Sequence, residues 1–473
     1  MGSRAPRILL VNPWITDFAA YDFWIKPVGL LMLAGILKKA GCDVVLLDCL
    51  DRAHPAVKSF FRNDQKNRGD GTGHFIKEPL DKPAVLEDIP RQYSRYGLPY
   101  DLVVRQLNRN RCPDLILMTS GMTYWYPGVQ QMSGLLKSVF PGVPIALGGV
   151  YATLCTDHAE RCSGADLVLP GEGEEAVLKL VEELCGWNVI AEIPGGIPLP
   201  DYSLYDSLFS ASLLTSRGCP YRCPYCASRL LAKSAWRLSP ETVLRHVRDL
   251  HDSKRVTEFA FYDDALLIPK EDHIVPILRK SAGSGPPVHF HTPNGLHPRQ
   301  IDETLAGLMV RSGFRTVRLS YETCNPERQK KLGMKVGDAD LKRAVRLLLR
   351  AGMPPEYMGS YVLMGLPGQP LAEVLQSMRT VWDLGIRVSL ASFSPIPGTE
   401  SWEEAVHAGF LERDADPLLT NSSVFPLRSE SVTFRDFIRI GTLAAEGNRM
   451  VVRGNAPFRD PDFARKAERF ESL

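Results

Sequence analysis

Cys219, Cys223 and Cys226 are spaced C-x-x-x-C-x-x-C within Arg217-Gly218-Cys219-Pro220-Tyr221-Arg222-Cys223-Pro224-Tyr225-Cys226, directly after a short apolar stretch at 212–216. This spacing reads as a metal loop. Thiolates are the ligands of iron–sulfur clusters, and three of them leave one iron of a four-iron cluster open to bind something else. A structural zinc site is the alternative and would need a fourth Cys or His. The next cysteine is Cys324, and His246 would have to fold back from the following helix. A disulfide framework fits poorly, because ten dispersed cysteines in a long chain without a signal segment are the usage of a reducing compartment. Cys42, Cys49 and Cys185 lie in apolar runs and read as small core residues.

The 473 residues suit two or three domains, and 44% hydrophobic residues suffice for their cores. A net charge of +2 offers no basic excess for nucleic acid. With no run long enough to span a bilayer and no signal peptide, the expected location is the cytoplasm.

The N-terminal part, 1–186, alternates strand and helix signals. Arg7-Ile8-Leu9-Leu10-Val11-Asn12 has the apolar character of a buried parallel strand, and a helix at 29–40 leads to the strand Val44-Val45-Leu46-Leu47-Asp48. Residues 51–111 are polar and punctuated by glycine and proline, which predicts an insertion. Strands follow at 114–119, 144–149 and 166–169, with a helix predicted over 129–140. The fold class is α/β, a doubly wound sheet whose ligands sit beyond the C-terminal strand ends. Those ends carry Ser120-Gly121-Met122-Thr123, Gly148-Gly149 and Gly171-Glu172, small or flexible residues that let a bulky ligand approach. A Pro- and Gly-rich linker, 187–210, sets the domain boundary.

From 211 to 400 the spacing predicts six strand-then-helix repeats, an open (βα)6 partial barrel, with a helical extension over 401–473 that closes its open side. Barrel active sites lie at C-terminal strand ends. The second strand ends in Asp263-Asp264, placed for hydroxyls or a cation, with a solvated turn as the alternative. Ser320 and Glu322 share one face of the fourth strand. Met364-Gly365-Leu366-Pro367-Gly368-Gln369 is a tight turn after the fifth. His289 and His291 share a side of the third strand, but no acidic or thiol partner is evident to make a second metal site, and Asn294 is the better candidate for contacting ligand.

The cysteine loop, with Tyr225 before its third cysteine, resembles that of the radical SAM superfamily. The resemblance implies a [4Fe-4S] cluster on Cys219, Cys223 and Cys226, whose open iron chelates S-adenosylmethionine and whose electron cleaves it to a 5′-deoxyadenosyl radical. It also implies ribose contacts from Ser320 and Glu322, adenine-side contacts from Gly365, Leu366 and Pro367 with Tyr225 as an apolar wall, and further contacts from Asp263, Asp264 and Asn294. The N-terminal sheet is similar to the cobalamin-binding domain of methyltransferases and mutases, which implies cobalamin contacts from Ser120, Gly121, Met122, Thr123, Gly148, Gly149, Gly171 and Glu172. That family's D-x-H-x-x-G is absent, since 14–26 contains no histidine. A cobalt without this lower ligand, or a sheet that is scaffold alone, both remain open. The expected function is cobalamin-dependent methylation of an unactivated carbon in a small molecule or peptide, with an external flavodoxin- or ferredoxin-type donor. Radical rearrangement, cyclisation or oxidation without cobalamin, and a non-catalytic corrinoid or iron–sulfur carrier, are the alternatives. No catalytic side chain is assigned.

Overall fold

A computed structural model describes residues 4–59, 69–187, 198–333, 336–429 and 432–470. Parts of the expected insertion (60–68) and linker (188–197) lie outside the described residues.

The first sheet is parallel and five-stranded. Its strands are β1 (Arg7–Asn12), β2 (Asp43–Asp48), β3 (Leu115–Met118), β4 (Ile145–Leu147) and β5 (Leu167–Val168), in the spatial order 5-4-3-1-2. That is the flavodoxin-like order, whose switch point and ligand crevice fall between β1 and β3. Helix α1 (Val28–Lys39) connects β1 to β2. The crossover from β2 to β3 ends in α2 (Tyr100–Arg109), whose Leu102, Val103 and Leu107 enter the core with β1 and β3. The stretch at 51–111 is therefore more than an inserted loop. Ser94–Tyr96 within it also pairs antiparallel with Ile15–Asp17 and with Lys77–Pro79. Helix α3 spans Tyr126–Val139, starting three residues before the expected 129 because Pro127 fits the first turn of a helix. Helix α4 (Glu174–Cys185) follows β5. Cys42 and Cys49 are buried in the cores of this domain.

The second sheet has six parallel strands in chain order: β6 (Ala211–Leu213), β7 (Glu258–Phe261), β8 (His289–Leu296), β9 (Phe314–Glu322), β10 (Met358–Met364) and β11 (Arg387–Ser392). The first strand is shorter than the apolar stretch suggested. Ser216–Arg217 leaves the sheet to pair antiparallel with Trp236–Arg237, which aims the cysteine loop away from the barrel wall. Val317, Leu319 and Tyr321 of β9 pack into the helix-side core. Two-residue alternation then turns Arg318, Ser320 and Glu322 to the lumen.

Trp24, between β1 and α1, reaches into this lumen. It is 3% exposed, stacks on His291 with ring centroids 4.2 Å apart, and accepts the Ser212 hydroxyl on its carbonyl (2.6 Å). Glu258 lies between the two lumen histidines, 2.7 Å from His289 Nδ1 and 2.8 Å from His291 Nε2. The acidic partner that the sequence did not reveal thus comes from the neighbouring strand. Among the described residues, however, no three His, Cys, Asp or Glu side chains converge to hold a metal ion.

The exposed edge of β11 is covered by α5 (Phe434–Val452). From it, Asn448 accepts the Val388 N–H (2.8 Å) and donates to the Val388 carbonyl (2.8 Å), replacing the missing strand at that residue. Gly447 lets the helix approach, since a Cβ there would meet Trp382 Cζ2 at 2.4 Å. No helix among the described residues is long and apolar enough to cross a membrane.

Asn448→Ala leaves both backbone groups of Val388 and the Trp382 indole without this partner. A loss of about 2 kcal/mol is expected from unpaired buried groups. Urea denaturation checks this; an unchanged midpoint would show that the edge is held by apolar packing alone.

Candidate active site

The cysteine loop follows directly on Thr215-Ser216, and both of those residues are fixed by Asp263 just past the end of β7. Its carboxylate accepts the Thr215 hydroxyl (2.7 Å), the Ser216 hydroxyl (2.5 Å) and the Thr215 N–H (3.2 Å). Burial pushes the Asp263 pKa up to about 6, against the pull of the hydrogen bonds from Ser216 and Thr215. The adjacent Asp264 bridges the loop's two ends. It accepts the Gly218 N–H on Oδ2 (3.0 Å) and the Ser228 hydroxyl on Oδ1 (2.9 Å), while the Cys226 thiol donates to Ser228 Oγ (3.3 Å). The acidic pair is thus engaged in holding the loop, with Asp263 buried and Asp264 exposed. Asn294, from β8, donates to the Tyr262 and Asp263 carbonyls (3.0 and 3.3 Å), steadying the same strand end.

Cys219 and Cys223 are half-buried and Cys226 is exposed at the barrel's C-terminal end. Three thiolates on one loop are the donor set that a four-iron cluster would take. Neither residue needed to close a zinc shell is turned to this purpose. His246 packs near Tyr202, with burial lowering its pKa to about 4, and the Cys324 thiol donates to the Glu373 carbonyl (3.8 Å).

Tyr225 brings the loop to the far side of the site, where its hydroxyl donates to Glu322 Oε1 (3.2 Å). Burial, the Glu322 carboxylate and the neighbouring Cys223 push the phenol's pKa up, so it remains a donor. Glu322 has φ +69°, in the left-handed region, after an irregularity in the β9–β10 pairing. A side chain in that conformation costs about 1–2 kcal/mol. Ser320 is buried one turn of the pleat below, its hydroxyl at the 2.5 Å a Cβ on Gly295 would approach.

The turn after β10 is set by Gln369, whose Oε1 accepts the N–H groups of Gly365 (3.0 Å) and Leu366 (3.2 Å). Gly365 has φ +88°, and a Cβ there would meet Pro426 Cβ at 2.6 Å. Buried Glu373 joins this turn to the end of β9 by accepting from Thr323 (2.6 Å), Arg328 (2.8 Å) and Gln369 (3.3 Å), and Arg328 reaches the Pro367 carbonyl (3.4 Å). Sequence reasoning did not single out Gln369 for this role and missed Glu373 and Arg328. A polar triplet distributed over 45 residues gives no local signal. Leu366 and Tyr225 do share one apolar cluster with Phe393, Trp402 and Phe425.

Between the two sheets lies an open cavity of about 300 Å³. Gly148, Gly149, Gly171 and Glu172 line it from the first domain, and Arg217, Ser228 and Asp264 from the cluster loop and β7. Ser120, Gly121, Met122 and Thr123 are not among its walls, which are formed at the end of β3 by Met118 and Thr119 instead. Ser120 is buried and accepts the Tyr151 N–H (3.1 Å). The cavity is a cradle for something large. A Cβ on Gly171 would meet nothing within 4 Å, and one on Gly148 only the Leu169 carbonyl at 3.8 Å, so both glycines open space into it. Arg217 spans the seam, 2.8 Å from Glu174 and 3.4 Å from Glu172. Burial pushes the Glu172 pKa up, but hydrogen bonds from Ser234 and the Arg217 charge hold it below the usual carboxylate value.

Residues 213–381 match the Radical SAM superfamily. The barrel is a radical SAM domain. The chain is 24% identical over 350 residues to an uncharacterised methyltransferase of Pyrococcus horikoshii, spanning 67% of this chain and 75% of that one. It is 27% identical over 292 residues to the anaerobic magnesium-protoporphyrin IX monomethyl ester cyclase of Synechocystis, spanning 54% of this chain and 49% of that one. Among solved structures it is similar to the radical S-adenosylmethionine methyltransferase TsrM from Kitasatospora setae, with cobalamin and a [4Fe-4S] cluster bound. That similarity has a TM-score of 0.62 at 17% identity and covers 86% of this chain and 78% of that one, a shared two-domain fold.

Asp264→Ala releases both ends of the cysteine loop. The variant is expected to retain less than half the iron of the parent after reconstitution and desalting; equal iron would show that the cysteines organise the loop unaided. For Asp263, a folded pKa of about 6 against 3.8 unfolded means the native state binds more protons between those values. Stability therefore falls as pH rises from about 4 to about 6, by an amount on the order of 3 kcal/mol. Asp263→Asn should lack this segment of the pH–stability profile, and a parallel profile would remove Asp263 as its source.

Proposed function

We propose that this protein is a cobalamin-dependent radical SAM methyltransferase that methylates an unactivated carbon. The observation that carries the reading is the glycine-lined cavity between the two sheets, walled on one side by the strand ends where a doubly wound sheet takes its ligand and on the other by the cluster loop. A carrier protein has no use for the second half of the site, the Glu322–Tyr225 contact and the Gly365 turn on the barrel. The likeness to TsrM, which binds cobalamin and a cluster, and to a methyltransferase of P. horikoshii supports the same reading.

Cys219, Cys223 and Cys226 would hold the cluster, and Gly148, Gly149, Gly171 and Glu172 would face the corrinoid. When bound, the cluster supplies the electron that cleaves S-adenosylmethionine and the corrinoid supplies the methyl group. The chain's own residues position these partners. Asp264 keeps the loop closed over its thiols, Tyr225 and Glu322 fix the opposite wall for ribose and base, and Gln369 holds the Gly365-Leu366-Pro367 turn. The single electrons enter from an external low-potential donor of the flavodoxin or ferredoxin type, in the cytoplasm, and the acceptor is a small molecule or peptide.

Gly148→Leu fills the cavity without a backbone clash. After anaerobic reconstitution with iron and hydroxocobalamin, the parent should retain one cobalt with about four irons, and the variant the iron without the cobalt. A parent that retains iron but no cobalt would overturn the corrinoid reading.

A further inference from the structure

Below Ser320 and Glu322, the lumen contains positive charge that the reaction described above does not use. Arg318 pairs in register with Gly359 of β10, and Gly359 with Arg387 of β11, so the three residues form one row across adjacent strands. The neighbours of each arginine, Val317, Leu319 and Val388, belong to the helix-side core, which turns Arg318 and Arg387 inward. Gly359 makes room for the Arg318 guanidinium: a Cβ there would lie 3.1 Å from Arg318 Nη1 and 3.1 Å from the Arg387 carbonyl.

Arg318 is half-buried, and among the described residues no carboxylate oxygen lies within 4.0 Å of its guanidinium. Burial and the charge of Arg387 both work against its protonated state, while Tyr361 and Asp70 favour it. Asp70 acts from beyond ion-pair distance, and its Oδ1 accepts the Thr72 N–H (2.9 Å) and hydroxyl (2.7 Å). An arginine does not escape such a site by losing its proton. A planar guanidinium fork held in a sheltered lumen is matched by a two-oxygen anion.

We propose that the lumen row built on Arg318 is a substrate-anchoring subsite for an anionic group, a carboxylate or a phosphate ester, so that the methyl acceptor is an acid held by its charged end. The inference deepens the methylation reading and rests on it for the word acceptor. The strand direction gives the subsite its use. Arg318 lies one pleat repeat below Ser320 and two below Glu322, so an acid seated on it projects its carbon skeleton up the lumen toward the cluster end.

The test is isothermal titration of inorganic phosphate and, separately, of acetate into the full reconstituted chain. The expected result is saturable binding of one of them, with phosphate pointing to a phosphate ester and acetate to a carboxylate. Arg318→Gln should weaken it at least ~10-fold, the loss of one charge-assisted pair, and Arg318→Lys should keep part of it. Gly359→Ala preserves every charge but crowds Nη1, and should also weaken binding, which keeps the test decisive if Arg318→Gln folds poorly. Arg350→Gln, at an exposed helix end, should bind as the parent does. A parent that binds neither anion, or Arg318 and Gly359 variants that bind as the parent does, would overturn the subsite. Cobalt and iron analysis of the same samples separates the two readings: lost anion binding with cobalt retained removes only the subsite, and lost cobalt with anion binding retained removes only the corrinoid.

Discussion

Two adjacent carboxylates at the end of β7 hold the architecture of the site. Asp263 faces inward and ties down Thr215 and Ser216, just ahead of the loop, while Asp264 faces the loop and closes it from Gly218 to Ser228. Alternation along a strand would send consecutive side chains to opposite faces, and the strand's end relaxes that rule just enough for both to serve the loop. A loop with three cysteines and two prolines lacks the backbone N–H donor at each proline; Cys226 N–H to the Cys223 carbonyl (3.1 Å) is one bond it does make. Its shape is therefore borrowed from the neighbouring strand. The raised pKa of Asp263 is the physical trace of that arrangement, a charge kept out of water so that its oxygens can be shared.

The seam between the domains is polar where it meets this loop. Arg217 stands one residue before Gly218 and reaches Glu172 and Glu174, which follow the last strand of the first sheet. The indole of Trp236 lies under the same guanidinium, 5.2 Å from its centre. Any shift of the first domain is thus felt directly at the base of the cysteine loop, and the wall of the large cavity and the foot of the cluster site are one hydrogen-bonded unit.

Much of this was legible in the chain. The cysteine spacing, the six-fold strand–helix rhythm and the small residues at strand ends are local signals, each confined to a few neighbouring residues. What escaped was set by partners distant in sequence. Glu258 answers His289 and His291 only because β7 and β8 are aligned in register. Asp263 and Asp264 were visible as a pair, but their work depends on hydroxyls 48 and 36 residues earlier. At 51–111 glycine and proline concealed α2, whose apolar residues match a helical face only over its ten residues. The stretch 14–26 had been informative for the histidine it lacks, and not for the tryptophan it contributes.

That tryptophan has a consequence for how the molecule is made. Trp24 is translated before any strand of the barrel, yet it ends 3% exposed against His291, with its backbone carbonyl held by Ser212 of β6. Domains tend to fold in order of synthesis, so the first domain emerges from the ribosome carrying an aromatic side chain whose shelter does not yet exist. The barrel then assembles around a plug already in place. A barrel expressed alone would lack the ring that stacks on His291, and the first domain expressed alone would keep only the Asp70 carbonyl as partner for the indole N–H, so the two halves share this side chain even though each has its own sheet and its own core.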